Sequence, residues 1–350
     1  MRKASSINMA TATNYQCPAC GGPLHFSGTT QKLECDYCGS SYTVEEIDKK
    51  YKQTESQEGM SGLVEYNCPS CGAQLFCDAT TAATSCPYCG NNQVIPSQFK
   101  GGKMPQKIIP FRVEKEAAIK GLKNHYKGKK LLPKVFSAQN HIEEVKGVYV
   151  PFWLFDGHAR AEVDFKATKT AVHYTSEEKI ATTSHYDLKR SGTVKFEKIS
   201  VDASKKMDDA LMDSIEPFDY DNLYDFTASY LPGFFAEVYD VSTDECFERA
   251  RVRAENTALQ EMSNSVGGYD SVSVMHKKIE VINDKVTYAF LPVWVLSTKW
   301  RNQNYIFAMN GQTGKMVGNL PVDKGKFWKY FFGITAIVAA IVTPIVYFFF

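Results

Sequence analysis

Eight of the ten cysteines fall into four Cys-x-x-Cys pairs, and two thiolates so spaced on a tight turn can grip one metal ion together. The first unit reads Cys17-Pro18-Ala19-Cys20-Gly21 and then Cys35-Asp36-Tyr37-Cys38-Gly39. The second reads Cys68-Pro69-Ser70-Cys71-Gly72 and then Cys86-Pro87-Tyr88-Cys89-Gly90. In both, 14 residues separate the pairs, enough for one short hairpin. The spacing predicts two zinc ribbons, one on Cys17, Cys20, Cys35 and Cys38 and one on Cys68, Cys71, Cys86 and Cys89, each with a structural Zn2+. Four thiolates close the coordination sphere, so neither site keeps the open position that metal catalysis needs.

The elements that must hold these cysteines are short. Residues 24–26 and 32–34 read as hairpin strands between the first two knuckles, matched by 74–76 and 83–85 in the second unit. Gly21, Gly39, Gly72 and Gly90 follow the knuckles, where a positive φ is often needed. A thioredoxin-like redox pair would instead open a helix. His25 and Cys77 read as strand side chains rather than ligands. Ribbons of this size bury too little apolar surface to fold alone, so zinc would supply much of their folding free energy. Cys77 and Cys246 stay unpaired, which suits a reducing compartment, and no apolar run follows Met1-Arg2-Lys3 as a secretory signal would require.

Charge bears on the partner. The whole chain carries a formal net charge of +1, so no global field draws it to nucleic acid. Residues 15–100 hold five lysines, no arginine and nine acids, and tetrathiolate sites add further negative charge. Phosphate binding needs the opposite sign, so nucleic acid is not the expected partner. Residues 103–134 then carry ten lysines and arginines against Glu114 and Glu116. Within them, residues 114–126 place Ala118, Ile119, Leu122 and Tyr126 near helical spacing, an amphipathic helix whose lysines form a solvated face or meet anionic lipid headgroups.

Residues 330–350 contain no charge, and at about 1.5 Å per residue a helix of that length matches the roughly 30 Å of bilayer hydrocarbon. Trp328, Tyr330 and Phe331 stand where an aromatic belt belongs, and Lys324, Lys326 and Lys329 precede the span. The expectation is a single-pass C-terminal tail anchor in the cell membrane, with the N-terminus cytoplasmic.

The middle of the chain has two similar stretches. Ile108-Ile109-Pro110-Phe111-Arg112-Val113 leads through a helix to Tyr149-Val150-Pro151-Phe152-Trp153. Phe235-Ala236-Glu237-Val238-Tyr239 leads through a helix over about 243–262, opened by a Ser242/Glu245 capping box, to Phe290-Leu291-Pro292-Val293-Trp294. Short strands are expected at 273–275, 278–282 and 305–309, the last turning at Asn310-Gly311 into 315–317. The expected fold is therefore two small β zinc ribbons, an α+β region with a duplicated strand-helix-strand unit, and one transmembrane helix. The domain bounds are 1–58 and 59–100 for the ribbons, 101–230 and 231–326 for the two units, and 327–350 for the anchor.

Gly311-Gln312-Thr313-Gly314-Lys315 has two residues between its glycines where a phosphate loop has four, and it ends in Met316 instead of a hydroxyl. His158, His173 and His185 show no carboxylate or cysteine constellation in the sequence. No catalytic set is visible, and an enzyme is not expected.

The two Cys-Pro-x-Cys-Gly ribbons, residues 230–240 (Tyr230-Leu231-Pro232-Gly233-Phe234 onward), Leu291-Pro292-Val293-Trp294 and Asn310-Gly311-Gln312-Thr313-Gly314-Lys315 resemble the transcription-factor-IIB-type zinc-ribbon membrane proteins of Gram-positive bacteria. The likeness covers nearly the whole chain. It implies an accessory role beside phage-shock-protein-A-like and flotillin-like (SPFH) membrane proteins in envelope stress. The expected function is a membrane-tethered adaptor or scaffold that binds lipid through its C-terminal helix and protein partners elsewhere, as a homo- or hetero-oligomer or neither. A membrane-held nucleic-acid-binding protein is the alternative, and an enzyme the third reading.

Overall fold

The computed structural model describes residues 10–11, 15–51, 64–67, 74–77, 81–85, 92–94, 104–133, 136, 145–175, 178–300 and 303–349. After a two-residue strand β1 (Ala10–Thr11), β2 (Leu24–Ser27), β3 (Lys32–Cys35) and β4 (Ser41–Tyr42) form an antiparallel sheet. Leu24 pairs with Cys35 and Phe26 with Leu33, the predicted hairpin. A helix α1 (Val44–Tyr51) follows. Its start is fixed by a reciprocal capping box, in which Glu46 N–H donates to Thr43 Oγ1 at 3.3 Å and Thr43 N–H to Glu46 Oε2 at 2.8 Å.

The next four strands are β5 (Val64–Asn67), β6 (Gln74–Cys77), β7 (Thr81–Ser85) and β8 (Asn92–Val94). The strands expected at 74–76 and 83–85 are present with different partners. β6 pairs with β5, while β7 pairs with β8 and joins the large sheet. Cys68, Cys71, Cys86 and Cys89 lie outside the described residues.

The body follows as β9 (Lys107–Ile108), α2 (Lys115–Tyr126), β10 (Lys146–Tyr174), β11 (Lys179–Asp202), α3 (Asp209–Ile215), β12 (Tyr224–Asp225), β13 (Phe235–Glu237), α4 (Thr243–Asn264), β14 (Ser271–Trp300), β15 (Gln303–Asn310) and β16 (Met316–Gly318). The strands β7 to β16 make one ten-stranded sheet with β10 and β14 antiparallel at its centre. A sheet-rich α+β region thus stands where it is expected. β13 of the second strand-helix-strand pass lies parallel beside β10 of the first, and β9 of the first lies parallel beside β14 of the second. The two passes are interleaved in one sheet.

Burial along β10 reports what covers it. Residues 147–152 are buried without alternation because both faces are covered, and from Phe155 to Ala167 buried positions alternate with half-buried or exposed ones. On one face Val150, Phe152 and Leu154 pack with Leu291 and Val293 against Met212 and Ile215 of α3. On the other, Tyr149 and Phe290 share a core with Ala118 and Leu122 of α2 and with Leu24, Phe26 and Leu33 of the ribbon. Further out, β10, β11 and β14 continue as a three-stranded arm with α4 laid along it. Ala250, Ala254 and Ala258 of the helix are buried, and Ala258 packs with Ala159 and Ala161 of the arm, small residues that let helix and sheet approach closely.

The sequence predicts two short strands at 273–275 and 278–282, whereas β14 runs unbroken for 30 residues. The gap expected at His276-Lys277 and the strand end expected after Ile282 both fall within it. Paired against β10 they are accommodated by register shifts at Asp156/Gly157 and Asp164/Phe165. Gly157 is obligatory there, since a Cβ would stand 2.2 Å from the Ile282 carbonyl oxygen.

The last element, α5 (Lys324–Phe349), is a single helix long and apolar enough to cross a membrane, and none of its span Lys324–Thr343 is buried against the body.

Candidate metal centre

Two knuckles of the same construction present the first four cysteines. Gly21 N–H donates to Cys17 O and Gly39 N–H to Cys35 O, both at 2.9 Å, and the chain returns through Cys17 N–H to Gly22 O at 2.7 Å and Cys35 N–H to Ser40 O at 3.0 Å. Gly21 and Gly39 take φ values of 75° and 70°, the left-handed turn expected after each pair. Cys35 closes β3 and Cys17 sits just before the hairpin, so the β2–β3 pairing brings the knuckles together.

The sulfurs of Cys17, Cys20, Cys35 and Cys38 all lie within 4.8 Å of one another. Cys17 and Cys38 are 3.6 Å apart and Cys20 and Cys35 3.5 Å. A tetrahedron with Zn–S bonds of about 2.3 Å has edges of about 3.8 Å, so the donor set fits one tetrahedral ion and is consistent with zinc. Cys17 and Cys35 are buried and Cys20 and Cys38 exposed, which places the site at the ribbon surface.

Electrostatics favour the same ligand. Burial raises the Cys17 thiol, but backbone N–H groups of Ala19 and Cys20 and the Tyr42 hydroxyl at 3.6 Å outweigh it and bring it down to about 6. The Gly22 N–H, 3.4 Å from Cys20 Sγ, favours a thiolate there, yet hydrogen bonding to the sulfurs of Cys38 and Cys35 holds the proton on Cys20 and pushes it up to about 12. Ser40 lowers Cys38 through its hydroxyl and backbone N–H. Four thiolates this close repel one another unless a cation neutralises them, and a divalent ion removes that conflict.

The ribbon is built into the body. Glu114, which precedes α2, spends its carboxylate on the ribbon: Oε1 accepts from Thr29 N–H at 2.8 Å, Thr29 Oγ1 at 3.1 Å and Ser27 Oγ at 3.2 Å. Gln31 Nε2 donates to Phe111 O at 2.9 Å, and Phe26 N–H donates to Pro232 O at 2.9 Å. Phe26 meets Tyr230 edge-on at 5.3 Å. Asp48 of α1 accepts from the hydroxyls of Thr227 and Ser229. Gly233, at φ 98°, lets the body's loop reach the ribbon, where a Cβ would stand 3.3 Å from His25 Cβ.

His25 stays outside the sulfur cluster and faces Asp36 at 3.6 Å and Glu34 at 4.0 Å. Cys246 is buried on α4, where burial and nearby Asp202 push its thiol up to about 12, an unreactive group. The helix predicted at 114–126 is α2, with Ala118 and Leu122 buried and its lysines exposed. Gly311 to Lys315 is a turn: Gly314 N–H donates to Asn310 O at 2.9 Å, while Asn310 Nδ2 holds Ile215 O at 3.1 Å. One pair was not visible in the sequence. His158 Nδ1 lies 2.8 Å from Asp284 Oδ2, brought there by the strand pairing, and among the described residues no nucleophile joins them.

No known family profile matches the chain. It is 37% identical over 328 residues to an uncharacterized protein of Bacillus subtilis (strain 168), YdjG, covering 92% of this chain and 94% of that protein. No solved structure matches.

Proposed function

We propose that this chain, which belongs to the same family as Bacillus subtilis YdjG, is a membrane-tethered zinc-ribbon adaptor that organises partner proteins at the cytoplasmic membrane. The observation that carries the reading is the joining of a closed four-cysteine site to the body's core. Leu24, Phe26 and Leu33 of the ribbon are buried in the same cluster as Phe111, Tyr149 and Phe290. A metal so placed stiffens a surface for recognition and leaves no open coordination position for chemistry.

The finer parts of the proposal follow. Cys68, Cys71, Cys86 and Cys89 repeat the spacing of the first site and hold a second structural Zn2+. The strand-helix-strand passes from β9 and β13 descend from one duplicated unit, supported by their matching places in the sheet. The exposed helix α5 anchors the chain with its N-terminal side cytoplasmic, supported by Lys324, Lys326 and Lys329 at its start. Confinement to two dimensions raises the effective concentration of whatever the body binds. The expected partners are flotillin-like (SPFH) or phage-shock-protein-A-like membrane proteins acting in envelope stress, and no catalysis is assigned.

The test is purification from native membranes in mild detergent, with mass spectrometry of co-purifying proteins before and after nuclease treatment. Recovery of SPFH or phage-shock proteins that nuclease leaves unchanged supports the adaptor. Nuclease-sensitive recovery of polymerase or replication proteins overturns it in favour of a nucleic-acid role.

A further inference from the structure

Where α5 leaves the body, the chain after α2 is tied to its first turn. Asp323 N–H donates to Leu131 O at 2.9 Å and Lys326 Nζ to Leu132 O at 2.6 Å, while Asp323 Oδ1 caps the Gly325 and Lys326 N–H groups at 2.9 and 3.1 Å. These bonds fix Lys130, which is distant in sequence, beside the helix. An open cavity of about 530 Å3 results, lined by Lys130, Lys326 and Lys329 at one end and by Tyr330, Gly333, Ile334 and Ile337 at the other.

The two ends differ in chemistry. Three lysines line one end with no acid among the lining residues, and Lys130 and Lys329 make no ion pair among the described residues. Lys326 gives one donor to Leu132 O and keeps two. The other end is apolar. Gly333 makes the notch between them, since a Cβ there meets nothing within 4 Å. Ile334 and Ile337 are 60% and 62% exposed, so their side chains are open to a ligand. The distance along the helix from Lys329 to Ile337 is about 12 Å at 1.5 Å per residue, the run from a headgroup into upper acyl chain.

We propose that this cavity is a binding site for one anionic diacyl phospholipid, its phosphate held by Lys130, Lys326 and Lys329 and an acyl chain lying in the Gly333 notch against Ile334 and Ile337. Charge complementarity selects an anionic headgroup, and the apolar end selects a lipid over a free anion. The site rests on the membrane reading of α5. It adds that the body, through Lys130, reads lipid charge, so the angle at which it stands on the bilayer depends on the lipid bound.

The test uses the full chain reconstituted into phosphatidylcholine vesicles. Flotation with the vesicles comes first, and failure to float overturns the membrane reading and the site together. Electron paramagnetic resonance then compares spin-labelled phosphatidylglycerol with spin-labelled phosphatidylcholine. The motionally restricted fraction is expected to be several-fold larger for phosphatidylglycerol, and equal fractions in a protein that floats overturn the site alone. The pair Lys130→Gln and Lys329→Gln should abolish the preference, and Gly333→Leu should weaken it with every lysine in place. Lys115→Gln with Lys123→Gln, outside the cavity, should leave it intact. Displacement of the label by millimolar inorganic phosphate would mark a free-anion site and overturn the lipid assignment.

Discussion

Val150 on β10 lies directly opposite Leu291 on β14, and the pairing around that point is symmetric. Tyr149 faces Pro292 on one side and Pro151 faces Phe290 on the other, so the Pro-x-Trp segments cross at their matching residues. β13 joins β10 at Val148 and Tyr149, and β9 joins β14 at Ala289 and Phe290, again corresponding places. The two tryptophans complete the relationship. Trp153 Nε1 donates to Val241 O at 3.1 Å and Trp294 Nε1 to Val113 O at 2.8 Å, so each pass's tryptophan holds the carbonyl of the other. Phe111 packs on Trp294 as Tyr239 packs on Trp153, with ring centroids at 5.1 and 4.8 Å.

This symmetry makes Trp153→Phe and Trp294→Phe a matched pair of probes. Each keeps an aromatic ring and strips a partly buried carbonyl of its donor, which costs about 1–3 kcal/mol. Urea unfolding of the two variants should show losses of similar size. A large loss at one position and none at the other would mean that the two bonds are unequal members of the core.

The docking of the ribbon gives a second prediction. Phe26→Ala removes a fully buried ring shared by ribbon and body and should cost about 3–5 kcal/mol. Glu114→Ala should cost less in global stability but free the Ser27 to Thr29 turn, three of whose donors it accepts. Limited proteolysis should then cut near residues 27–31 while the rest of the chain stays protected. Unchanged protection there would show that burial alone holds the ribbon.

Metal content separates the first four-cysteine cluster from the proposed second site. Elemental analysis should give about two zinc ions per chain, falling to about one with Cys35→Ser and to about one with Cys86→Ser, as two closed four-cysteine sites require. A wild-type value of about one that is lost with Cys35→Ser and untouched by Cys86→Ser would confine zinc to the first ribbon. Chelation should destabilise the body as well, because Cys17 and Cys35 belong to the core that holds Tyr149.

What the sequence made legible follows physical range. The first four-cysteine site was readable because ligand spacing and the glycine turns act within a few residues, and α2 and α4 because their apolar stripes and the Ser242 cap are local. The Thr43-x-x-Glu46 box that starts α1 is equally local. The length of β10 and β14 was not readable, since Gly157, His276 and Asn283 break a strand in isolation and are carried only by pairing with the neighbouring strand. The same holds for His158 beside Asp284 and for Lys130 beside α5, contacts between residues more than a hundred positions apart that no periodicity encodes.

Asp202 supplies the pH dependence. It is buried beneath α4, with Oδ1 3.0 Å from Arg249 Nη1 and Oδ2 meeting no hydrogen-bond partner among the described residues. Burial raises its carboxyl to about 6 from the usual 3.8, against the pull of Arg249, with Asp209 and Asp213 adding to the rise. A carboxyl raised on folding binds its proton more tightly in the folded state than in the unfolded one. Its contribution to stability is therefore fully present below about pH 3.8 and is lost as pH rises through about 6. Asp202→Asn removes that titration while Arg249 keeps Asp209 and Asp213 at 3.0 Å each. Measured by denaturant unfolding between pH 4 and pH 7, wild type should lose stability relative to Asp202→Asn as pH rises across the window. A constant difference would show that Arg249 keeps the Asp202 carboxylate ionised throughout the window, and that burial does not raise it.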